Sequence, residues 1–339
     1  MSTDVVQIET RESRLEHLPI SFFASMMGLS GLALAWQKGV HVLHIASEWV
    51  PLVIAAAAAL VFLTLLGLYG AKVALHPSHV VGEYRHPVKL HFFPAVSISL
   101  LLLSILALNM WPAMAMPLFA VGASLHLVLM LLVLNSWFNH DHFQTVHLNP
   151  AWFIPAVGNV LVPLSGLALG YVELSWFFFA IGIMFWIVLF TIIINRVLFH
   201  NPLPERLAPT LFILIAPPAV GFLSYVRLAG NVDAAAHILY YFALFMTLFL
   251  ITQVPRLMRA AFFLSWWAYS FPLAAVTIAS LTMYEKFGGT AFFVISAVLL
   301  GIVTTVVTAL VVRTLVAIGR GRSACPNRPA RDPGRLETQ

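Results

Sequence analysis

Four polar residues crowd into eight positions of this chain: His140, Asp141, His142 and His147. Imidazole and carboxylate groups so close together are ligand types for zinc or copper. The same residue types in a loop also cap helix ends by bonding to free backbone groups. The stretch is read as a solvated loop, with metal-dependent regulation as the minor alternative. Elsewhere one titratable group, His126, falls mid-way along an apolar run, and a lone histidine there is read as a hydrogen-bonded structural residue. Haem ligation by paired imidazoles would need a second deep histidine opposite it, but His91 and His237 sit near the ends of their runs. No HExxH zinc pair, Ser–His set or carboxylate pair lies in the apolar runs. The sequence therefore assigns no catalytic residue, no metal ligand and no cofactor.

The elements that carry these groups are set by solvent. Of 339 residues, 61% are hydrophobic and 9% charged, with a mean hydropathy of +0.93. A soluble domain carries about 25% charged residues, and no soluble fold of this length hides so much apolar surface. Crossing a bilayer core takes about 20 apolar helical residues. Ten segments qualify, near 18–37, 49–75, 87–109, 112–136, 150–171, 175–199, 208–228, 235–254, 263–284 and 290–317. The expected class is all-α, a polytopic membrane protein of ten helices in five hairpins around a central pore. Residues 1–17 carry both signs of charge without a signal-peptide pattern, 18–318 form the membrane domain, and the Arg- and Pro-rich 319–339 read as a disordered tail. With the N-terminus inside, fifteen of the 18 Lys and Arg fall on the inner side; Lys38, Arg227 and Lys286 remain outside. That asymmetry places both termini in the cytoplasm of a cell whose inner membrane holds the chain. The basic residues cluster between apolar runs, which argues against nucleic acid, and the single Cys325 excludes a disulfide framework.

Odd spans begin near 18, 87, 150, 208 and 263, one helical hairpin apart. They carry distorting or small residues within the run: Gly28 and Gly31; Pro94 with Ser97; Pro155, Asn159, Pro163 and Gly166, with Gly170 in register; Pro217 and Gly221; Pro272 with Ala275. Proline inside a helix removes a hydrogen bond and kinks it, and the freed carbonyl needs protein or water to receive it. Five bent, small-faced helices inside five bulkier ones are expected, with those residues lining a passage. Close helix packing is the competing explanation of such stripes. No Asp, Glu, Lys or Arg lies deep in a span, whereas coupled transporters usually hold ionisable groups there. A passive conductor is the expectation. A secondary carrier using His126 or Arg196 to hold substrate, and a scaffold or sensor using the His140–His147 loop, are the alternatives.

The stretches Phe23–Trp36 (FASMMGLSGLALAW), Glu83–Val88 (EYRHPV), Asn149–Val157 (NPAWFIPAV), Leu214–Pro218 (LIAPP) and Trp266–Pro272 (WWAYSFP), in this order, resemble the family of the bacterial tellurite-resistance protein TehA, the plant slow anion channels and the fungal malate and sulfite exporters. The resemblance covers about residues 18–317. It implies a pore lined by the odd helices, a homotrimer in the lipid bilayer, small inorganic or organic anions as the transported species, and a gating phenylalanine matching Phe271. C4-dicarboxylate, sulfite and tellurite are the substrates of the carrier alternative. Where the family has a proline in its first helix, this chain has Met26. A phenyl ring across a narrow apolar passage excludes water, and a bare anion crosses such a segment only at high cost. The positive ring edge and negative face also let ring orientation tune anion passage.

Overall fold

A computed structural model describes residues 15–45, 47–139, 143–257 and 261–319. Among them are eleven α-helices and no strand. The expected cytoplasmic segment and tail lie almost wholly outside these residues, as do His140, Asp141 and His142.

Helices of two kinds alternate. The even spans are single long α-helices: α2 (Trp49–Leu75), α5 (Pro112–Asn139), α7 (Val172–Phe199), α9 (Ala234–Leu257) and α11 (Thr290–Gly319). The odd spans are two-part. Each opens with a 3-10 stretch (Ile20–Phe22, Lys89–Phe92, Pro150–Trp152, Ala208–Ile215, Leu264–Tyr269) and continues as α1 (Phe23–Leu43), α4 (Pro94–Met110), α6 (Phe153–Gly166), α8 (Ala216–Ala229) or α10 (Ser270–Phe287). The short α3 (Pro77–Arg85) links α2 to the second 3-10 stretch. Trp111 alone joins α4 to α5, the tight connection expected there.

The prolines explain the two-part build and correct the expectation of mid-span kinks. Pro94, Pro155, Pro217 and Pro272 all fall in the first turn of their α-helix. A missing N–H is harmless there, because first-turn donors have no helical acceptor. Proline thus marks the switch from 3-10 to α winding. Pro163, inside α6, is the exception on the odd spans. In α1 no proline occupies the first turn, and Met26 is fully buried there, its sulfur accepting from the Ser30 hydroxyl at 3.1 Å.

Packing sorts the helices into rings. α1 packs against α4 and α10, α4 against α6, α6 against α8 and α8 against α10, which closes a circuit of five. The five 3-10 stretches touch in the same cyclic order. Each ring helix also packs against the long helix that follows it. Burial agrees: the membrane-length windows of the spans built on α1, α4, α8 and α10 are 67–78% buried, against 28–33% for the long helices. The long helices therefore face lipid. α6 is buried along all fourteen residues, since α4, α5, α7 and α8 surround it.

Among the described residues, nine helices have the length and apolarity to cross a membrane. The expected fifth span falls short because its 3-10 stretch is only Pro150–Trp152 and α6 stops at Gly166, whereas α8, equally long, follows the longer stretch Ala208–Ile215. At about 2.0 and 1.5 Å per residue the two parts rise about 27 Å, under a core of about 30 Å. Beyond it Leu167–Gly170 close a Schellman turn: Tyr171 N donates to Gly166 O at 2.8 Å and Gly170 N to Leu167 O at 3.1 Å. Gly170, at φ +88°, supplies the left-handed residue this turn needs. It caps the helix and does not extend a lining stripe.

Candidate functional site

The expected gate lies where α10 begins. Leu264–Tyr269 wind as a 3-10 turn, and Phe271 follows as the second residue of α10, 7% exposed. Gly31 of α1 makes room for it: a Cβ there would stand 3.4 Å from Phe271 Cδ2 and 2.9 Å from Ala274 Cβ. One turn earlier Gly28 is filled by the neighbouring Ser270 side chain and approaches Trp267. Ser270 Oγ donates to Trp267 O at 2.6 Å, and Trp267 Nε1 donates to Thr314 Oγ1 of α11 at 3.0 Å. The two glycines of α1 therefore seat the start of α10 and the phenyl ring it carries.

Of the gate and lining residues singled out from the sequence all but the exposed Gly170 are buried, but they do not share one direction. Gly28, Gly31, Phe271 and Ala275 belong to α1 and α10, where the second and third turns of α1 meet the start of α10 closely. Gly221 turns toward Ile183 of α7 and Leu239 of α9, and Gly166 toward Phe119 of α5 and Ser175 of α7. Their missing side chains admit the outer helices. Ser97 also points outward, its hydroxyl 2.9 Å from Nδ1 of His126 on α5. Small residues serve every close helix contact, and a ring helix is packed on both its sides, so spacing alone could not separate the two roles.

His126 has the hydrogen-bonded structural place expected of it. It is fully buried, and Nε2 stands 2.9 Å from the carbonyl oxygen of Pro155. That oxygen only accepts, so Nε2 carries the proton of the bond. The ring lies flat on α6 because residue 158 is glycine: a Cβ there would overlap the imidazole. Asn159 Nδ2 donates to the same Pro155 oxygen at 2.8 Å, while its own Oδ1, buried, has no partner among the described residues. On the facing side of α6, Ser224 Oγ donates to Val160 O at 2.5 Å and Arg227 Nη1 to Leu164 O at 2.7 Å. Arg227 thus caps the C-terminal carbonyls of α6, where the helix dipole favours a cation.

Charge is confined to the ends of the ring helices. Lys38, Arg227, Glu285 and Lys286 all lie in the last two turns, and Lys38 pairs with Glu285 at 2.6 Å. Arg196, 2% exposed, is held by backbone: Nε donates to Thr145 O at 3.0 Å and Nη1 to Asn201 O at 2.5 Å. His91 stacks on Trp152 at 4.5 Å between centroids and accepts from Trp137 Nε1 at 2.9 Å. In the 3-10 stretch that precedes Phe271, Tyr269 OH and Trp266 Nε1 are buried donors without a hydrogen-bond partner among the described residues. The groove lined by Trp186, Phe190, Ile238 and Phe242 lies between α7 and α9, away from Phe271.

The sequence did not announce one polar cluster. Lys72, in the last turn of α2 and 1% exposed, pairs with Glu83 of α3 at 3.1 Å and donates to Leu18 O at 2.8 Å. Tyr69 OH donates to Glu83 Oε2 at 2.8 Å. Both charges had the look of span flanks. Only the return of α3 alongside α2 buries them together.

An all-helical chain with a closed inner ring, a lipid-facing outer ring and no interior charge on the ring helices is a multi-pass membrane protein. Comparison with known proteins narrows the class. The chain matches the voltage-dependent anion channel (SLAC1) family over residues 17–315 and belongs to it. It is 27% identical to S-type anion channel SLAH2 of Arabidopsis thaliana over 92% of this chain and 62% of that protein. With SLAH3 of the same plant it shares 28% over 91% of this chain and 50% of the relative. With the tellurite resistance protein TehA homolog of Haemophilus influenzae it shares 27% over 79% and 82% of the two chains. The chain thus spans about half to three-fifths of the length of these plant relatives.

Proposed function

We propose that this protein is an anion channel, or a channel-like exporter, that passes small anions passively along the axis of the five-helix ring, and that Phe271 is its gate. The observation that carries this reading is the seating of Phe271: an enclosed ring at the first turn of α10, held against Gly31 of α1 in a closed circuit of helices. A phenyl ring there keeps the passage dry, and a dry segment is a barrier to a hydrated anion. Gly28, Gly31, Pro94, Pro155, Asn159, Pro163, Pro217 and Ala275 form the proposed lining. Ser97, Gly166 and Gly221 are left out because they serve the contact with the outer helices.

The absence of charge in the ring interior, among the described residues, favours passive conduction over coupling. Tyr269 OH and Trp266 Nε1 are donors that an anion could bond beside the start of α10, and the Arg313 guanidinium stands 5.3 Å from the centre of the Trp266 ring. The relative named for tellurite resistance keeps an oxyanion carrier as the second reading. We place ten spans in the bilayer as five hairpins, both termini in the cytoplasm from the Lys and Arg asymmetry, and three such chains in an assembly.

The test is anion flux through Phe271→Ala in liposomes or oocytes. Flux rises by at least about tenfold, equivalent to about 1.4 kcal/mol of barrier. Unchanged current at normal surface expression refutes the gate. Saturable, proton-dependent uptake assigns the chain to the carrier class.

A further inference from the structure

Outside the ring, a set of metal-ligand types converges from two distant parts of the chain. Glu16 and His17 precede the first 3-10 stretch; His76 lies between α2 and α3, and His79 in the first turn of α3. Ligand atoms of Glu16, His76 and His79 all stand within 4.8 Å of one another. Glu16 Oε2 is 3.9 Å from His76 Nδ1, and Glu16 Oε1 is 3.5 Å from His17 Nε2. The His76 and His79 rings sit perpendicular at 5.9 Å, and the His17 and His79 rings at 6.5 Å.

The placement is held from beneath. Leu18 O, two residues past Glu16, accepts from the buried Lys72 Nζ, itself locked to Glu83, and His76 N donates to Lys72 O at 2.8 Å. Both ligand segments therefore hang from one buried ion pair. Pro77 fixes the backbone between the two histidines at the start of α3. Glu16 and His76 are half-buried and His79 is exposed.

We propose that Glu16, His76 and His79 form a site for a divalent transition metal of the zinc class, with His17 or water in the fourth position. Two imidazoles and a carboxylate suit zinc at bond lengths of about 2.0–2.2 Å. Ligand atoms at the corners of such a tetrahedron are about 3.3 Å apart, so turning the side chains by little more than 1 Å closes the present cluster. The donor set is too poor in oxygen for calcium, and magnesium prefers carboxylates and water to imidazole. An ion pair would use one imidazole per carboxylate, whereas three surround this one. Occupied, the site clamps residues 16–17, the approach to α1, onto the α2–α3 connection.

The experiment is zinc calorimetry on the purified full-length protein in detergent, with cobalt absorption as the report of tetrahedral coordination. Wild type binds one zinc per chain at micromolar concentration or tighter. His76→Gln with His79→Gln weakens binding by more than about 100-fold, beyond what loss of an outer-sphere partner does, and Glu16→Gln weakens it in the same direction. His140→Gln, His142→Gln and His147→Gln together leave it unchanged. Metal-free melting temperatures show that each variant is folded. No heat with wild type, binding that survives the His76 and His79 changes in a folded protein, or binding lost only with the 140–147 set overturns the assignment.

Discussion

Gly158→Ala tests how the outer and inner rings are joined. The new Cβ would overlap the imidazole of His126, so either the ring leaves its seat or α6 moves away from α5. If the ring leaves, its contacts to Ser97 and Pro155, both at 2.9 Å, go with it. Hydrogen bonds between membrane helices contribute about 0.6 kcal/mol on average and at most about 1.7, so two amount to about 1–3 kcal/mol. Overpacking adds about 1–3 kcal/mol. Gly158→Ala is therefore expected to destabilise the protein by about 2–6 kcal/mol. His126→Ala also loses the two bonds but leaves a gap into which the new methyl group fits. The double variant should then be no less stable than His126→Ala alone, a coupling of about 2 kcal/mol or more, well above the scatter of independent sites. Equilibrium unfolding in mixed detergent micelles measures all three. Additive costs, or a Gly158→Ala cost below about 0.5 kcal/mol, would mean that the imidazole does not rest on α6 and that Gly158 is an ordinary packing residue.

Two further outcomes are expected. Lys72→Met leaves the buried Glu83 carboxylate with only Tyr69 OH at 2.8 Å and the Lys89 ammonium at 3.8 Å, and should cost less than the about 3–5 kcal/mol of a wholly unpaired buried charge, while Lys72→Met with Glu83→Gln recovers most of the loss; the same unfolding assay reads both. Asp233, just outside the start of α9, accepts from Tyr225 OH at 2.6 Å and from Ala236 N at 3.1 Å, and these bonds hold its carboxyl below the ordinary carboxylate value. A lowered folded-state pKa gives stability that is present above the unfolded value and lost as pH falls through the folded one. Melting curves of wild type and Asp233→Asn should therefore converge on acidification and separate above about pH 4; a gap independent of pH would refute the ionised cap.

The alternation of helix types was legible because it is written in composition. Pro94, Pro155, Pro217 and Pro272 mark four of the five alternate apolar runs and Gly28 with Gly31 the first, and the ring and its outer sleeve follow that division. What the prolines do was not legible. Proline is tolerated in a first turn and disruptive further along, and the sequence does not say where 3-10 winding gives way to α. Gly221 and Gly31 look alike in sequence, yet one faces α7 and α9 and the other Phe271. A small residue permits close approach without naming the neighbour.

Lipid as solvent and the alternation of helix types were determined by the sequence, because each is a sum over about 20 residues that a single misplaced side chain cannot change. Direction and company were decided only by the tertiary structure. The closed circuit of five helices, the imidazole of His126 on Gly158, the buried Lys72–Glu83 pair and the meeting of Glu16 with His76 and His79 each depend on which segments lie side by side. Those contacts join residues eleven or more positions apart, and local periodicity carries no information about such pairings.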